Sequence, residues 1–137
     1  MNPNAKQVKE ELDKLLKVGF IVPIEDPEWI SSIVVVPKKN KKLCICVDYR
    51  KLKAATVPDP FPLPFLDSTL DEVAGYEMYS FADGYSGYNQ VRMAFTDQPK
   101  TAFITAWGVF ACTVMWFGLR NAPGTFQRDM QQICGPF

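Results

Sequence analysis

The chain contains no histidine. That excludes the usual general base near neutral pH, the His-activated nucleophile and the most frequent zinc ligand. Its four cysteines (Cys44, Cys46, Cys112 and Cys134) form no C-x-x-C pair, so a structural zinc site is not expected. They read as reduced, largely buried thiols of an intracellular protein, cytoplasmic or nuclear. No run approaches the roughly 20 apolar residues of a membrane span. The opening Met1-Asn2-Pro3-Asn4-Ala5-Lys6 lacks the apolar core of a secretion signal. There is no charge excess either: 15 basic residues balance 15 acidic ones. A chain that grips a duplex unaided usually carries a clear basic excess, so any nucleic-acid contact must come from a local patch. No Walker A or dinucleotide fingerprint is present. What remains is a chain of 137 residues, 47% apolar and 22% charged, the makeup of one modest folded domain.

Asn2-Pro3 reads as a helix start, with Asn2 as cap and Pro3 in the first turn. Val8, Leu12, Leu15 and Leu16 share one face, Glu10 and Lys14 are spaced to pair, and Gly19 is placed to stop the helix. Residues 20–30 form a Pro-broken connector. The β-branched run 33–36 and the run 43–47 flank a polar loop, which predicts a hairpin with Lys38, Lys39, Lys41 and Lys42 at its tip. Pro58-Asp59-Pro60-Phe61-Pro62-Leu63-Pro64 excludes regular helix or central strand and predicts an extended bridge. A helix over about 65–73 follows, with Leu66, Leu70 and Val73 inward and Gly75 ending it. Residues 76–82 read as a strand, and 88–93 as a strand or a turn with a strand. Residues 101–106 and 109–115 read as a hairpin around Trp107-Gly108. Asn121 is placed to cap a last helix from Ala122 to about Ile133. The class is α+β.

The chemistry-bearing segment is Phe81-Ala82-Asp83-Gly84-Tyr85-Ser86-Gly87-Tyr88-Asn89-Gln90. It puts a carboxylate at the end of an apolar stretch, then a Gly-rich turn, then an aromatic ring. Gly84, Ser86 and Gly87 let backbone N–H groups approach an anion. Asp83 offers oxygen to a hard cation such as Mg²⁺, and Tyr88 offers a flat face to a sugar. Read alone, Asp83-Gly84 is equally a common turn and Tyr88 an ordinary core aromatic. The lysine tip is either a solvated loop or an electrostatic clamp on phosphate.

Five segments occur in order: Val47-Asp48-Tyr49-Arg50-Lys51-Leu52, the Asp59–Pro64 bridge, Ser86-Gly87-Tyr88-Asn89-Gln90, Lys100-Thr101-Ala102-Phe103, and Phe117-Gly118-Leu119-Arg120-Asn121-Ala122-Pro123. Together they resemble the reverse transcriptases of Ty3/gypsy-type long-terminal-repeat retrotransposons, from the first helix to Gln127. The resemblance implies one partial reverse transcriptase domain over residues 1–137: fingers over about 1–60 and an incomplete palm with finger elements over about 61–137, with an antiparallel sheet and packed helices. It implies RNA-directed DNA polymerase chemistry by the two-metal route. Asp83 falls on a catalytic, Mg²⁺-binding carboxylate. Lys38, Gly84, Ser86, Gly87, Tyr88 and Phe117 fall on the nucleotide side, and Lys39, Arg50 and Gly118 on the template side. The implied partners are a template–primer and deoxynucleoside triphosphates.

The pattern also departs from the family. Its tyrosine-x-Asp-Asp hairpin, which carries two further catalytic carboxylates, is expected beyond Pro123 and is not within these residues. A Trp-Arg pair of the family is replaced by Leu43-Cys44, a Pro by Trp116 and an Asn by Lys53. A thiol does not substitute for a guanidinium fork. The expectation is therefore a polymerase fragment inactive by itself, with an uncovered palm edge that favours self-association or a protein partner. The alternative is a transposon-derived, non-catalytic module that binds nucleic acid or protein.

Overall fold

A computed structural model of the chain describes residues 4–63, 65–81, 84 and 86–135. Asn2, Pro3, Pro64, Ala82 and Asp83 lie outside the described residues.

Helix α1 (Ala5–Val18) forms on the predicted periodicity, with Val8 and Leu12 buried and Leu15 and Leu16 packed alongside. It ends where Gly19 turns left-handed at φ 81°, giving its N–H to the carbonyls of Leu15 and Leu16. Lys14 pairs with Glu11 at 3.0 Å and not with Glu10, since three residues apart serves as well as four on a helix surface.

Within the residues expected to be a connector, Ile21–Pro23 forms a short strand, β1. The predicted lysine hairpin is β2 (Ser31–Pro37) and β3 (Leu43–Asp48), paired from Ser32↔Asp48 to Pro37↔Leu43. The second hairpin is β4 (Phe103–Thr105) and β5 (Gly108–Cys112). The sheet order is β1-β5-β4-β2-β3. One sheet thus joins both halves of the chain. Three of its ladders are antiparallel as expected, but β2 and β4 pair in parallel at Ser31↔Phe103 and Ser32↔Ile104. A parallel pair needs a long crossover, and the chain between β3 and β4 supplies it. After a 3-10 turn at Gly87–Gln90, Arg92 makes an isolated antiparallel bridge to Val114, just past β5.

The core lies between α1 and one face of the sheet, around Ile21, Val47, Tyr49, Phe103, Phe110 and Cys112. Its single large polar member, Tyr49, is satisfied: the hydroxyl donates to the Thr101 carbonyl at 2.8 Å and touches Cys112 Sγ at 3.3 Å. Burial pushes that phenol far above its ordinary pKa, so it stays a neutral donor. Tyr49 leads directly into helix α2 (Arg50–Ala55), which the sequence does not predict. Only six residues long, it has no apolar period to announce it.

The bridge holds no regular structure over 57–63, as its prolines require. Helix α3 (Leu66–Val73) follows at the predicted place, but its expected inward face is exposed: Leu66 is 72% and Leu70 54% accessible. Residues 76–81 form no strand, because none of the described strands lies beside them to complete a ladder. Helix α4 (Ala122–Cys134) is the last of the described elements. The thiols are less buried than expected: Cys112 is buried, Cys44 and Cys46 are half-buried, and Cys134 is exposed on α4.

Candidate nucleotide and template site

The Gly-rich turn and the Phe117 corner, thirty positions apart in sequence, meet through aromatic rings. Tyr88 lies 5.1 Å from Phe117 and 5.5 Å from Phe126, centroid to centroid, the second contact edge-on. Such tilted pairs stabilise by about 0.5–1.5 kcal/mol beyond the area they bury. Phe117 itself is 74% exposed, so the cluster presents an open aromatic face. Gly87 exists for this contact: a Cβ there would sit 2.7 Å from the Phe126 ring, and one on Gly84 would sit 3.3 Å from it. Ser86, at φ 47°, starts the 3-10 turn in the left-handed region, which turns the backbone sharply. Asp83 precedes this turn directly in sequence.

Gly118 has φ 92°, and a Cβ there would lie 3.5 Å from the Tyr49 ring. Its position is therefore fixed by the core, and it seats Phe117 at the surface. Phe126 was missed in the sequence. The glycines at 84 and 87 were the available signal, since a ring packed on bare backbone needs them.

The last helix is tied to the Pro-rich bridge. Asn121 stands at the cap position of α4 but makes no side-chain cap bond. Its Oδ1 accepts from the Asp59 N–H at 2.9 Å, and its Nδ2 donates to the Val57 carbonyl at 3.0 Å. The amide is committed to the bridge, so it is not free for the helix end. Arg128 donates to Asp59 at 2.6 Å and stacks 4.9 Å over the Phe61 ring. That hydrogen bond lowers the Asp59 pKa. Asp59 belongs to the Pro-rich motif, but Arg128 carries no sequence signal, and the two lie far apart along the chain.

Lys38, Lys39, Lys41 and Lys42 are all exposed at the β2–β3 tip. The loop closes by a Lys38 N–H bond to the Lys42 carbonyl at 2.8 Å, with Lys41 at φ 63°. At the opposite end of β3, Arg50 grips Asp48 through two bonds of 2.9 and 2.8 Å. These hold the carboxyl at about pKa 2, so the pair stays ionised at any ordinary pH. The Arg50 side chain is nonetheless 89% exposed. A cavity of about 650 Å³ lies elsewhere, between Trp29, Arg92, Lys100 and Arg120; none of the sequence-predicted site residues lines it.

The sequence profile described as "Reverse transcriptase (RNA-dependent DNA polymerase)" matches residues 36–137. The chain belongs to the reverse transcriptase family. It is 36% identical over 132 residues to the retrovirus-related Pol polyprotein from transposon opus of Drosophila melanogaster, covering 93% of this chain and 13% of that protein. It is likewise 36% identical to the Pol polyprotein from transposon gypsy over 134 residues, covering 92% of this chain and 13% of that one. An RNA-directed DNA polymerase homolog of Oenothera berteroana is 41% identical over 91 residues, 66% of this chain and 64% of that protein. The chain therefore spans about 13% of the length of the Drosophila relatives. Among solved structures, prototype foamy virus protease–reverse transcriptase superposes with TM-score 0.80 at 21% identity, over 98% of this chain and 18% of that one. The foamy viral enzyme in complex with double-stranded DNA gives TM-score 0.73 at 21% identity, over 100% of this chain and 23% of that one. These likenesses establish the reverse transcriptase fold and the retrotransposon kinship.

Among the described residues no three His, Cys, Asp or Glu side chains gather to hold a metal ion. Asp83 adds one carboxylate to the inventory, and a two-metal centre needs several oxygen ligands. These residues do not by themselves compose a magnesium cage.

Proposed function

We propose that this chain forms the template- and nucleotide-facing part of an RNA-directed DNA polymerase. In this reading Lys38 and Lys39 meet phosphate at the hairpin tip, Arg50 and Gly118 lie along the template, and Tyr88 with Phe117 offers its aromatic face to the incoming nucleotide. Gly84 and Ser86 bring backbone N–H groups near its phosphates, while Gly87, whose N–H donates to the Gly84 carbonyl at 2.9 Å, closes the turn. Asp83 contributes one oxygen ligand to a Mg²⁺ site whose other ligands these residues do not include. The observation that carries the reading is the Tyr88–Phe117–Phe126 cluster, assembled beside the Gly-rich turn that follows Asp83 in sequence. The foamy viral relative in complex with double-stranded DNA supports a nucleic-acid partner. Because one carboxylate cannot hold two ions, these residues alone are not expected to copy a template.

The binding role is tested by titrating an RNA–DNA template–primer at several salt concentrations. Replacing Lys38, Lys39, Lys41 and Lys42 by Ala removes four cations, and each phosphate neutralised contributes about 0.9 to the slope of log affinity against log salt. The expected result is weaker binding with a slope flatter by about 2–4. Unchanged affinity and slope remove the lysine tip from the function.

A further inference from the structure

Strand β3 carries a pair of thiols that the polymerase reading does not use. Leu43, Ile45 and Val47 point into the core. Alternate residues of a strand face opposite ways, so Cys44 and Cys46 share the outer face. There they stand opposite Val36 and Val34 of β2, which are 45% and 47% exposed. The two sulfurs are 3.9 Å apart, and both cysteines are half-buried and free. Solvent reaches them from the outer side of the hairpin.

That distance separates two kinds of chemistry. A disulfide requires sulfurs at about 2.05 Å and Cβ atoms about 3.8 Å apart. Residues two apart on a regular strand are separated by about 6.8 Å, so oxidation would have to buckle β3. A soft cation needs no such change. Two bonds of about 2.3 Å to one ion subtend roughly 115° across a 3.9 Å gap, close to a tetrahedral angle. We propose that Cys44 and Cys46 form a chelating site for a thiophilic divalent cation of the zinc and cadmium class. On binding, each thiol releases its proton to solvent and both sulfurs bond the ion as thiolates; no electrons are transferred. Two thiolates neutralise the ion, so the nearby Lys38 ammonium, whose charge acts on Cys46, does not repel the complex. No third His, Cys, Asp or Glu joins them among the described residues, so solvent or small anions complete the coordination. The site is accordingly weaker than a closed four-ligand centre.

The test uses the whole chain, reduced with a non-thiol reductant and titrated with cadmium chloride. The expected result is one cadmium per chain, seen as ultraviolet thiolate-to-cadmium charge transfer. The band is lost in Cys44→Ser and in Cys46→Ser and kept in Cys134→Ser, whose exposed thiol is the control. A band that disappears with Cys134→Ser, or that saturates at one ion per two chains, overturns the proposal. A second measurement needs no variant: cadmium should slow alkylation of Cys44 and Cys46 together, mapped by mass spectrometry, and leave Cys134 unchanged. Absent or uniform protection also overturns it. Both readouts are independent of nucleic-acid binding, so this site stands or falls separately from the polymerase reading.

Discussion

Helices α1 and α3 present similar apolar stripes and meet opposite fates. In α1, Val8 and Leu12 are 6% and 2% exposed against the sheet. In α3, Leu66 and Leu70 remain in solvent, together with Phe65, Tyr76, Met78 and Phe81 nearby. Periodicity in a sequence announces a face; it does not supply the surface that covers it. The difference lies in the partners. Helix α1 has β1 and β3 beneath it, whereas none of the described strands lies under α3. An exposed apolar group of that extent marks a contact surface or a tendency to associate.

The comparison is broken most directly by truncating one leucine in each helix. Leu12→Ala should lower the unfolding free energy by about 2–5 kcal/mol, the range for a buried leucine, while Leu70→Ala should change it by less than about 0.5 kcal/mol. Urea midpoints measure both. Equal losses would mean that α3 is buried after all. Leu70→Gln should leave the midpoint in place while reducing any association seen by light scattering.

A smaller effect is expected where the Gly-rich turn packs on α4. Gly87→Ala drives a methyl into the Phe126 ring, an overpacking that typically costs about 1–3 kcal/mol. Phe126→Leu in the same chain should restore part of the loss, and a purely additive double mutant would deny the contact. The smallest effect concerns the tether between the bridge and α4. The Arg128 hydrogen bond lowers the Asp59 pKa below its ordinary value of 3.8. The tether's contribution is therefore complete above pH 3.8 and is lost as pH falls through the lower folded value. Asp59→Asn should flatten the dependence of the urea midpoint on pH in that acidic window and leave the slope near neutrality unchanged. Identical profiles for the two proteins would show that the pair does not hold the bridge.

Much of the fold was legible because its signals are local. The apolar period of α1, the β-branched run before the lysine loop, the prolines of the bridge and Trp107-Gly108 each determine their own element. Strand β1 escaped because three residues ending in Pro23 carry no period; only Cys112, Ala111 and Phe110 across the sheet make it a strand. Residues 76–81 failed for the converse reason: they have strand composition without a neighbour. At the candidate site, the order of the motifs was legible, and so was the pairing of a Gly-rich turn with an aromatic. The contacts that assemble them were not. Phe126 against Gly87, Asn121 against Asp59 and Arg128 over Phe61 join residues distant in sequence, and nothing in either partner names the other.

The order of the sheet also dictates when it can exist. Strands β1 and β2 follow one another along the chain yet never touch; the β4–β5 hairpin is wedged between them. On a ribosome, the first half of this chain must wait, its two ends of sheet unjoined, until Phe103 through Cys112 emerge and insert. Folding of this sheet is then gated by the β4–β5 hairpin, a high-contact-order closure that proceeds slowly, and a nascent chain halted before it holds only the β2–β3 pair, with β1 unattached.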